Sequence, residues 1–474
     1  MSSLIDKAYS AENFREKAHK LVDQLADYLS VIQQDSKSSV FKRFDPDLLF
    51  EEYRTRIEKQ GESFANVTES VLADSIHLHH PNFMGHQVSP VLPETALSEL
   101  LSAIMNNGVG VYEMGSPTVA MERVVIKQLA KQLGFDKEAD GFLTSGGTLG
   151  NLTALLAARQ IMTETDVWEQ GTGKKQYAFM VSEQAHYCID RAVRIMGWGN
   201  DGIVEVPVDD QFKMDPSQLE QKFQEAKDRG IQILGVVGSA CSTATGAFDP
   251  LDEIAAFCQK KKLWFHVDAA HGGGAAYSSK YKHLLKGIEQ ADSVIVDFHK
   301  MLMAPALVTG VLFKKGDHSY QTFAQRAKYL WDQEDKEWYN LGKRTFECTK
   351  DMMALKVYLV LQEYGTELWE EIVNRLFGLG TSFAKLISER DGFELATNPQ
   401  CNIVCFRHIP KDDRDLNIHN RRLRETLINE GKFFIVQTEL NGKVYLRTTL
   451  MNVKSAREHL SALLNRLEEL SQNI

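Results

Sequence analysis

The sequence predicts an α/β protein: a mostly parallel, helix-covered sheet, preceded by a helical N-terminal segment and followed by a smaller α+β C-terminal domain. Two observations carry this. Between about Gly141 and Phe313, short apolar runs (YAFMV, ILGVVGSA, LWFHVDAA, DSVIVDF, VTGVLF) alternate with polar stretches of helical spacing such as LDEIAAFCQKKK. The chain has 474 residues, 43% hydrophobic and 25% charged, which is more than one compact core usually holds. The expected segments are a helical 1–80, a large ligand-binding domain over 81–350 and a small domain over 351–474.

From Phe14, the apolar positions Ala18, Leu21, Val22, Leu25, Leu29 and Ile32 recur at helical spacing. They make an amphipathic helix with one face that needs a partner. After a charged, aromatic segment from Gln325 to Lys343 the pattern becomes helical. It then returns to short strands (CNIVCFRH, KVYLRTTL) and closes on a helix carrying Leu460, Leu463, Leu464, Leu467 and Leu470.

Lys and Arg total 54 against 64 Asp and Glu, a formal charge of -10. Nothing there steers the molecule toward nucleic acid or an anionic membrane, so a small-molecule substrate is expected. The N-terminus lacks the apolar core of a signal peptide, and no later stretch is apolar enough to span a bilayer, which points to the cytoplasm. The six cysteines are scattered and lack the His companions of a zinc site; they read as reduced, mostly buried thiols, and no metal is expected.

Four elements carry chemistry. The run Val294 to Lys300 is an apolar strand ending in His299-Lys300, which puts an amine at the carboxyl edge of a parallel sheet, where such proteins bind ligands and where an amine can form an imine. Alone, Lys300 would read as one more surface lysine. The run LWFHVDAAHGGG is another apolar strand, with Asp268 at its exit. One strand-helix-strand unit brings Asp268 and Lys300 to the same edge. A carboxylate there suits a pyridinium nitrogen, the acid partner that pyridoxal phosphate needs to serve as an electron sink; the plainer alternative is a strand-end cap. Phe142 to Thr148 (FLTSGGT) runs from a strand into glycines and then the apolar helix from Asn151, a helix start whose amides bind phosphate. Its spacing is neither that of a dinucleotide fingerprint nor that of a Walker loop. His186, in SEQAHY after YAFMV, offers an imidazole that can stack on a ring or move a proton, or else a structural histidine.

Together the motifs resemble the group II pyridoxal-phosphate-dependent amino-acid decarboxylases, which include the glutamate, cysteine sulfinate, aromatic and diaminobutyrate enzymes. The resemblance covers roughly residues 50 to 474 and rests on HPNFMGH near Pro81, TSGGT, SEQAHY, GAFDPLDEIA, LWFHVDAAHGGG and DFHKM, in that order. It implies the type I fold of pyridoxal-phosphate enzymes, with a seven-stranded-type central sheet. It also implies a homodimer whose N-terminal segments wrap around each other and whose active sites lie at the subunit interface.

Carried over by position, the resemblance makes Lys300 the Schiff-base lysine and Asp268 the partner of the pyridine nitrogen. His186 would stack on the ring and Ala270 would pack on its other face. Gly147 and Thr148 match the phosphate loop, His299 precedes the lysine, and Thr243 falls where a hydroxyl lies near the ring oxygen. Tyr339, in the WYNLG run, matches a loop tyrosine that protonates the substrate carbon after carbon dioxide leaves; the alternative is an aromatic cluster with Trp331 and Trp338. Arg447 matches an arginine that binds a substrate carboxylate.

The resemblance divides over substrate. The longer phrases around His186 and Asp268 look most like the glutamate and cysteine sulfinate branch. Asp297, where that branch has Asn in Asn-Pro-His-Lys, and the pair Gly85-His86 look more like the diaminobutyrate branch. His86 stands at a specificity position: charged it favours an acidic side chain, neutral it accepts from an ammonium. His271, where the glutamate branch commonly has tryptophan, changes the pocket wall. The expected reaction is α-decarboxylation of an amino acid, with a lean toward a small acidic one. Diaminobutyrate or another basic or aromatic amino acid is the alternative. A lyase or aminotransferase on the same fold, a non-catalytic paralogue, and a nicotinamide oxidoreductase without its glycine fingerprint are the competing classes.

Overall fold

The computed structural model describes residues 3–34, 38–323 and 337–474. Contacts group the chain into two compact units: Gln87–Thr381 with Thr397–Val404, and Met1–His86 with Ser382–Ala396 and Cys405–Ile474. Where the sequence suggests three consecutive segments, the contacts thus join the N-terminal stretch to most of the C-terminal one.

The larger unit is built on a seven-stranded sheet of β1 (Asp140–Thr144), β2 (Gln176–Ser182), β3 (Ile203–Val206), β4 (Ile231–Ser239), β5 (Trp264–Asp268), β6 (Ser293–Asp297) and β7 (Thr309–Phe313). Their order is β1-β7-β6-β5-β4-β2-β3. Every neighbouring pair from β6 to β3 is parallel, while β7 runs antiparallel to both β6 and β1. The central strands are buried on both faces, which is why they read as continuous apolar runs rather than alternations. The helix Gly147–Met162 covers one face, where Leu152, Leu155 and Ala158 share a core with Phe179, Val181, Ile295 and Val311.

Register sets the site. Thr309, at the start of β7, pairs with Asp297 at the end of β6 and with Thr144 at the end of β1. Asp268 at the end of β5 pairs with Ser239 at the end of β4. The exits of β1, β4, β5 and β6 therefore share one edge.

In the smaller unit, β8 (Phe393–Leu395), β9 (Ile403–His408), β10 (Val436–Leu440) and β11 (Lys443–Thr449) form a sheet in the order β10-β11-β9-β8. The β10–β11 hairpin turns on Asn441 and Gly442, both at positive φ, as a two-residue turn requires. Phe83 stacks on Phe434 at 5.4 Å, Met84 N–H donates to the Phe434 carbonyl, and Thr449 N–H donates to the Met84 carbonyl. The HPNFMGH stretch is thereby pinned to this unit. The helix Ala11–Ile32 matches the periodicity expected from Phe14 onward, and of its residues Ile32 alone is buried. No helix among the described residues is long and apolar enough to cross a membrane.

Candidate active site

The shared strand edge opens on a cavity of about 340 Å³ whose walls come from the loops after β1, β2, β4, β5 and β6. Gly147, Thr148, His186, Thr243, Asp268, Ala270, His271, His299 and Lys300 all line it. These distant stretches of chain meet because every parallel strand delivers its carboxyl end to the same side.

Lys300 Nζ lies 2.9 Å from Asp297 Oδ2, and Asp297 is fully buried at the end of β6. Thr309 donates its hydroxyl to Asp297 Oδ1, and His299 Nε2 stands 3.6 Å from Oδ2. Burial alone would disfavour both charges. The pair nevertheless holds its ionic form: the Lys300 pKa is raised because Asp297 outweighs desolvation, and the Asp297 carboxyl is lowered against its own burial by Lys300 and His299. A Cβ on Gly147 would come within 3.2 Å of both Asp297 oxygens, so any larger residue there would press on that carboxylate.

The other end of the cavity suits an anion. Gly146 takes φ +98, which a glycine adopts without penalty, and caps the helix Gly147–Met162 with no side-chain hydrogen bond. The helix therefore begins at the glycines, one turn earlier than the apolar run from Asn151 suggests. Its first amides have no capping side chain and face the cavity, with the positive end of the helix behind them. The hydroxyls of Thr144 and Ser145 beside them already attract a carboxylate, donating to Glu347 at 2.6 Å each.

Asp268 takes an N–H from Asn151 at 2.9 Å on Oδ2 and the Ala270 N–H at 3.1 Å on Oδ1. His186 is held at Nδ1 by the Cys188 N–H, 3.3 Å away. Its pKa is lowered chiefly by burial, so the ring faces the cavity neutral. Cys188 is pushed up to about 12, mainly by burial, and is an inert thiol.

Not every expected site residue lies here. Tyr339 belongs to the same unit but packs against Tyr112 at 5.1 Å and Trp338 at 5.7 Å and does not line the cavity. Trp331, the third member of the expected aromatic cluster, lies outside the described residues. His86 and Arg447 belong to the smaller unit. There the pKa of His86 is lowered by burial first and then by the charges of Arg447 and Arg424, while its ring tilts against Phe434 at 5.7 Å. The sequence marks Asp297 only as a difference between branches; its place three residues before Lys300, one helical turn, is the signal that could have given it a role. Asn151 carries no signal of its own.

An amine, a carboxylate, a neutral imidazole and an anion-binding helix start around one cavity make a donor set that fits pyridoxal phosphate. Lys300 can bind its aldehyde carbon, Asp268 its ring nitrogen, and the amides from Gly147 its phosphate.

Residues 47–409 match the family model described as the pyridoxal-dependent decarboxylase conserved domain. The chain is 31% identical to the acidic amino acid decarboxylase GADL1 of Bos taurus over 422 residues, covering 86% of this chain and 80% of that protein. It is 32% identical to the L-aspartate decarboxylase dtxS4 of Metarhizium robertsii over 378 residues, covering 78% and 75%. The structure of mouse CSAD in its apo form superimposes with a TM-score of 0.91 at 26% identity, over 98% of this chain and 100% of that one.

Proposed function

The chain belongs to the pyridoxal-dependent decarboxylase family, and from that membership we propose how its own residues remove the α-carboxyl group of an amino acid. The protein is a pyridoxal-phosphate-dependent carboxy-lyase that releases carbon dioxide and an amine. The observation that carries the assignment of roles is the meeting of Lys300 and Asp268 in one cavity that ends on an uncapped helix start.

When bound, pyridoxal phosphate supplies a conjugated ring that accepts the electron pair of the breaking Cα–carboxylate bond. The protein does the rest. Lys300 anchors the cofactor, and Asp297 and Thr309 fix the direction of its side chain. Asp268, braced by Asn151 and the Ala270 amide, accepts the N–H of the ring. The amides from Gly147 and Thr148 would take the phosphate, His186 and Ala270 would lie against the ring, and Thr243 would offer its hydroxyl to the ring oxygen. From its place in the family's motif, Tyr339 is the group we assign to deliver a proton to the substrate's Cα once carbon dioxide has left, although it does not line the cavity here.

The substrate we propose is a small acidic amino acid. The two named relatives act, by their names, on acidic amino acids or L-aspartate, which supports this. So does the charge around His86: Arg447 and Arg424 both act on it, and such surroundings favour an anion and repel the second ammonium of a diamino acid. Arg447 is the guanidinium that takes a substrate carboxylate.

The working form we propose is a homodimer. The helix Ala11–Ile32 leaves Phe14, Val22 and Leu25 exposed on one side, an apolar face of the kind a second subunit covers. A cytoplasmic location fits the six cysteines, all of them outside disulfides.

The test is carbon dioxide release and amine identification by the holoenzyme with aspartate, glutamate, cysteine sulfinate, 2,4-diaminobutyrate, lysine and aromatic amino acids, with Lys300→Ala as control. Amines from acidic substrates alone are expected. Turnover confined to diaminobutyrate would overturn the substrate assignment, and undiminished turnover by Lys300→Ala would overturn the role of Lys300.

A further inference from the structure

Behind Asp268 a line of buried polar side chains runs along the helix-covered face of the sheet. Trp264 Nε1 lies 2.9 Å from Ser293 Oγ, and Ser293 Oγ lies 2.8 Å from His266 Nδ1. His266 Nε2 lies 2.8 Å from Asn151 Oδ1, and Asn151 Nδ2 lies 2.9 Å from Asp268 Oδ2. The second amide hydrogen of Asn151 goes to Cys188 Sγ at 3.2 Å. Trp264, Ser293, His266 and Asn151 are each no more than 2% exposed. Residues on β5, β6 and the helix Gly147–Met162 thus make one continuous chain.

The two ends decide its direction. An indole N–H only donates, and a carboxylate only accepts. Asn151 must therefore turn its NH₂ to Asp268 and its carbonyl to His266, which requires a proton on His266 Nε2. Burial pushes His266 down to about 4, so the ring is neutral and its other nitrogen is an acceptor. Ser293 then donates to Nδ1 and receives the indole N–H. Every member is satisfied in this arrangement, and each bond polarises the next toward Asp268.

We propose that Ser293, His266 and Asn151 are positioning residues whose one-way chain of donors holds Asp268 as an acceptor-only carboxylate, so that the proton shared with the cofactor resides on the ring nitrogen. The proposal rests on the reading of Asp268 as that nitrogen's partner. The coupling runs through the amide. Without the Ser293 hydroxyl, His266 is free to take its other tautomer and present a lone pair to the Asn151 carbonyl. The repulsion turns the amide over and aims its carbonyl at Asp268, which favours a proton on the carboxyl instead.

The experiment uses holoenzyme rebuilt with cofactor carrying ¹⁵N at the ring nitrogen, whose chemical shift reports protonation without turnover. Asp268→Asn should move the resonance to the unprotonated position. Ser293→Ala, which removes one buried oxygen and leaves no room to fill, should move it part of the way and weaken cofactor binding about tenfold. Ser293→Thr, which keeps the hydroxyl, should restore both; His266→Phe should move the resonance at least as far as Ser293→Ala. Resonances at the wild-type position in both Ser293→Ala and His266→Phe, with Asp268→Asn displaced, would overturn the relay and spare the reading of Asp268. An unmoved resonance in Asp268→Asn would overturn both.

Discussion

Asp297 stands between Lys300 and the glycine loop: its carboxylate is 2.9 Å from the Lys300 ammonium, and its oxygens are the atoms a side chain at position 147 would strike first. The amine that must bind the cofactor is thus held charged by a buried partner whose own room depends on a glycine from another strand exit. Charge and space at this corner are therefore coupled, and a change to any of the three residues should be felt by the other two.

Loading of the apoprotein should speed up as pH rises. The Lys300 pKa is raised above its usual value near 10.4, and only the neutral amine attacks an aldehyde. The rate of appearance of cofactor absorbance should grow about tenfold per pH unit through the neutral range. Asp297→Asn removes the charge that sustains the ammonium, so its loading profile should move toward acid. Superimposable profiles for the two proteins would show that Asp297 does not control the amine.

Gly147→Ala should disturb the same pair from the other side. Its Cβ would sit 3.2 Å from both Asp297 oxygens and 3.4 Å from Ile295 Cδ1. The expected cost is about 1–3 kcal/mol of overpacking, read as a lower melting temperature, with weaker cofactor binding. A variant that melts and binds as the parent does would mean the loop yields without cost.

Removing Arg447 should be visible at His86. The imidazole pKa is lowered by burial and by Arg447 and Arg424, so Arg447→Met should raise its titration, followed by histidine ring NMR. The sign for stability follows from that depression. Above the unfolded value near 6.5 the neutral ring costs nothing, and as pH falls below it the unfolded chain binds the proton more readily, so His86 destabilises the fold on the acid side. In the same variant kcat/KM for an acidic substrate should drop by about a hundredfold or more, the loss of a charged hydrogen-bonded pair. Unchanged kcat/KM would take Arg447 out of substrate binding.

Tyr339→Phe should retain cofactor and fold but lose at least about a hundredfold in amine formation, the usual scale for a proton donor. Product analysis would detect carbonyl by-products from substrate carbon that is not protonated cleanly. Full amine output would leave Tyr339 as a packing residue beside Tyr112 and Trp338.

Sequence alone determined the sheet and the half of the site that lies at strand ends. Continuous apolar runs mark doubly buried strands, and in a parallel sheet each strand's exit falls on one edge, so the pattern by itself puts Lys300, Asp268, His186 and the TSGGT turn together. Short edge elements such as β3 and β8 escaped, because three or four residues with mixed burial carry no period to read. Only tertiary structure decided what stands behind those residues. The bracing of Asp297 by the Thr309 hydroxyl depends on β7 running antiparallel and bringing Thr309 to the same corner. The line from Trp264 to Asp268 depends on register between β5, β6 and a helix. A buried hydrogen bond is a matter of tenths of an ångström between residues here 27 to 117 positions apart, and no local pattern in the chain encodes it.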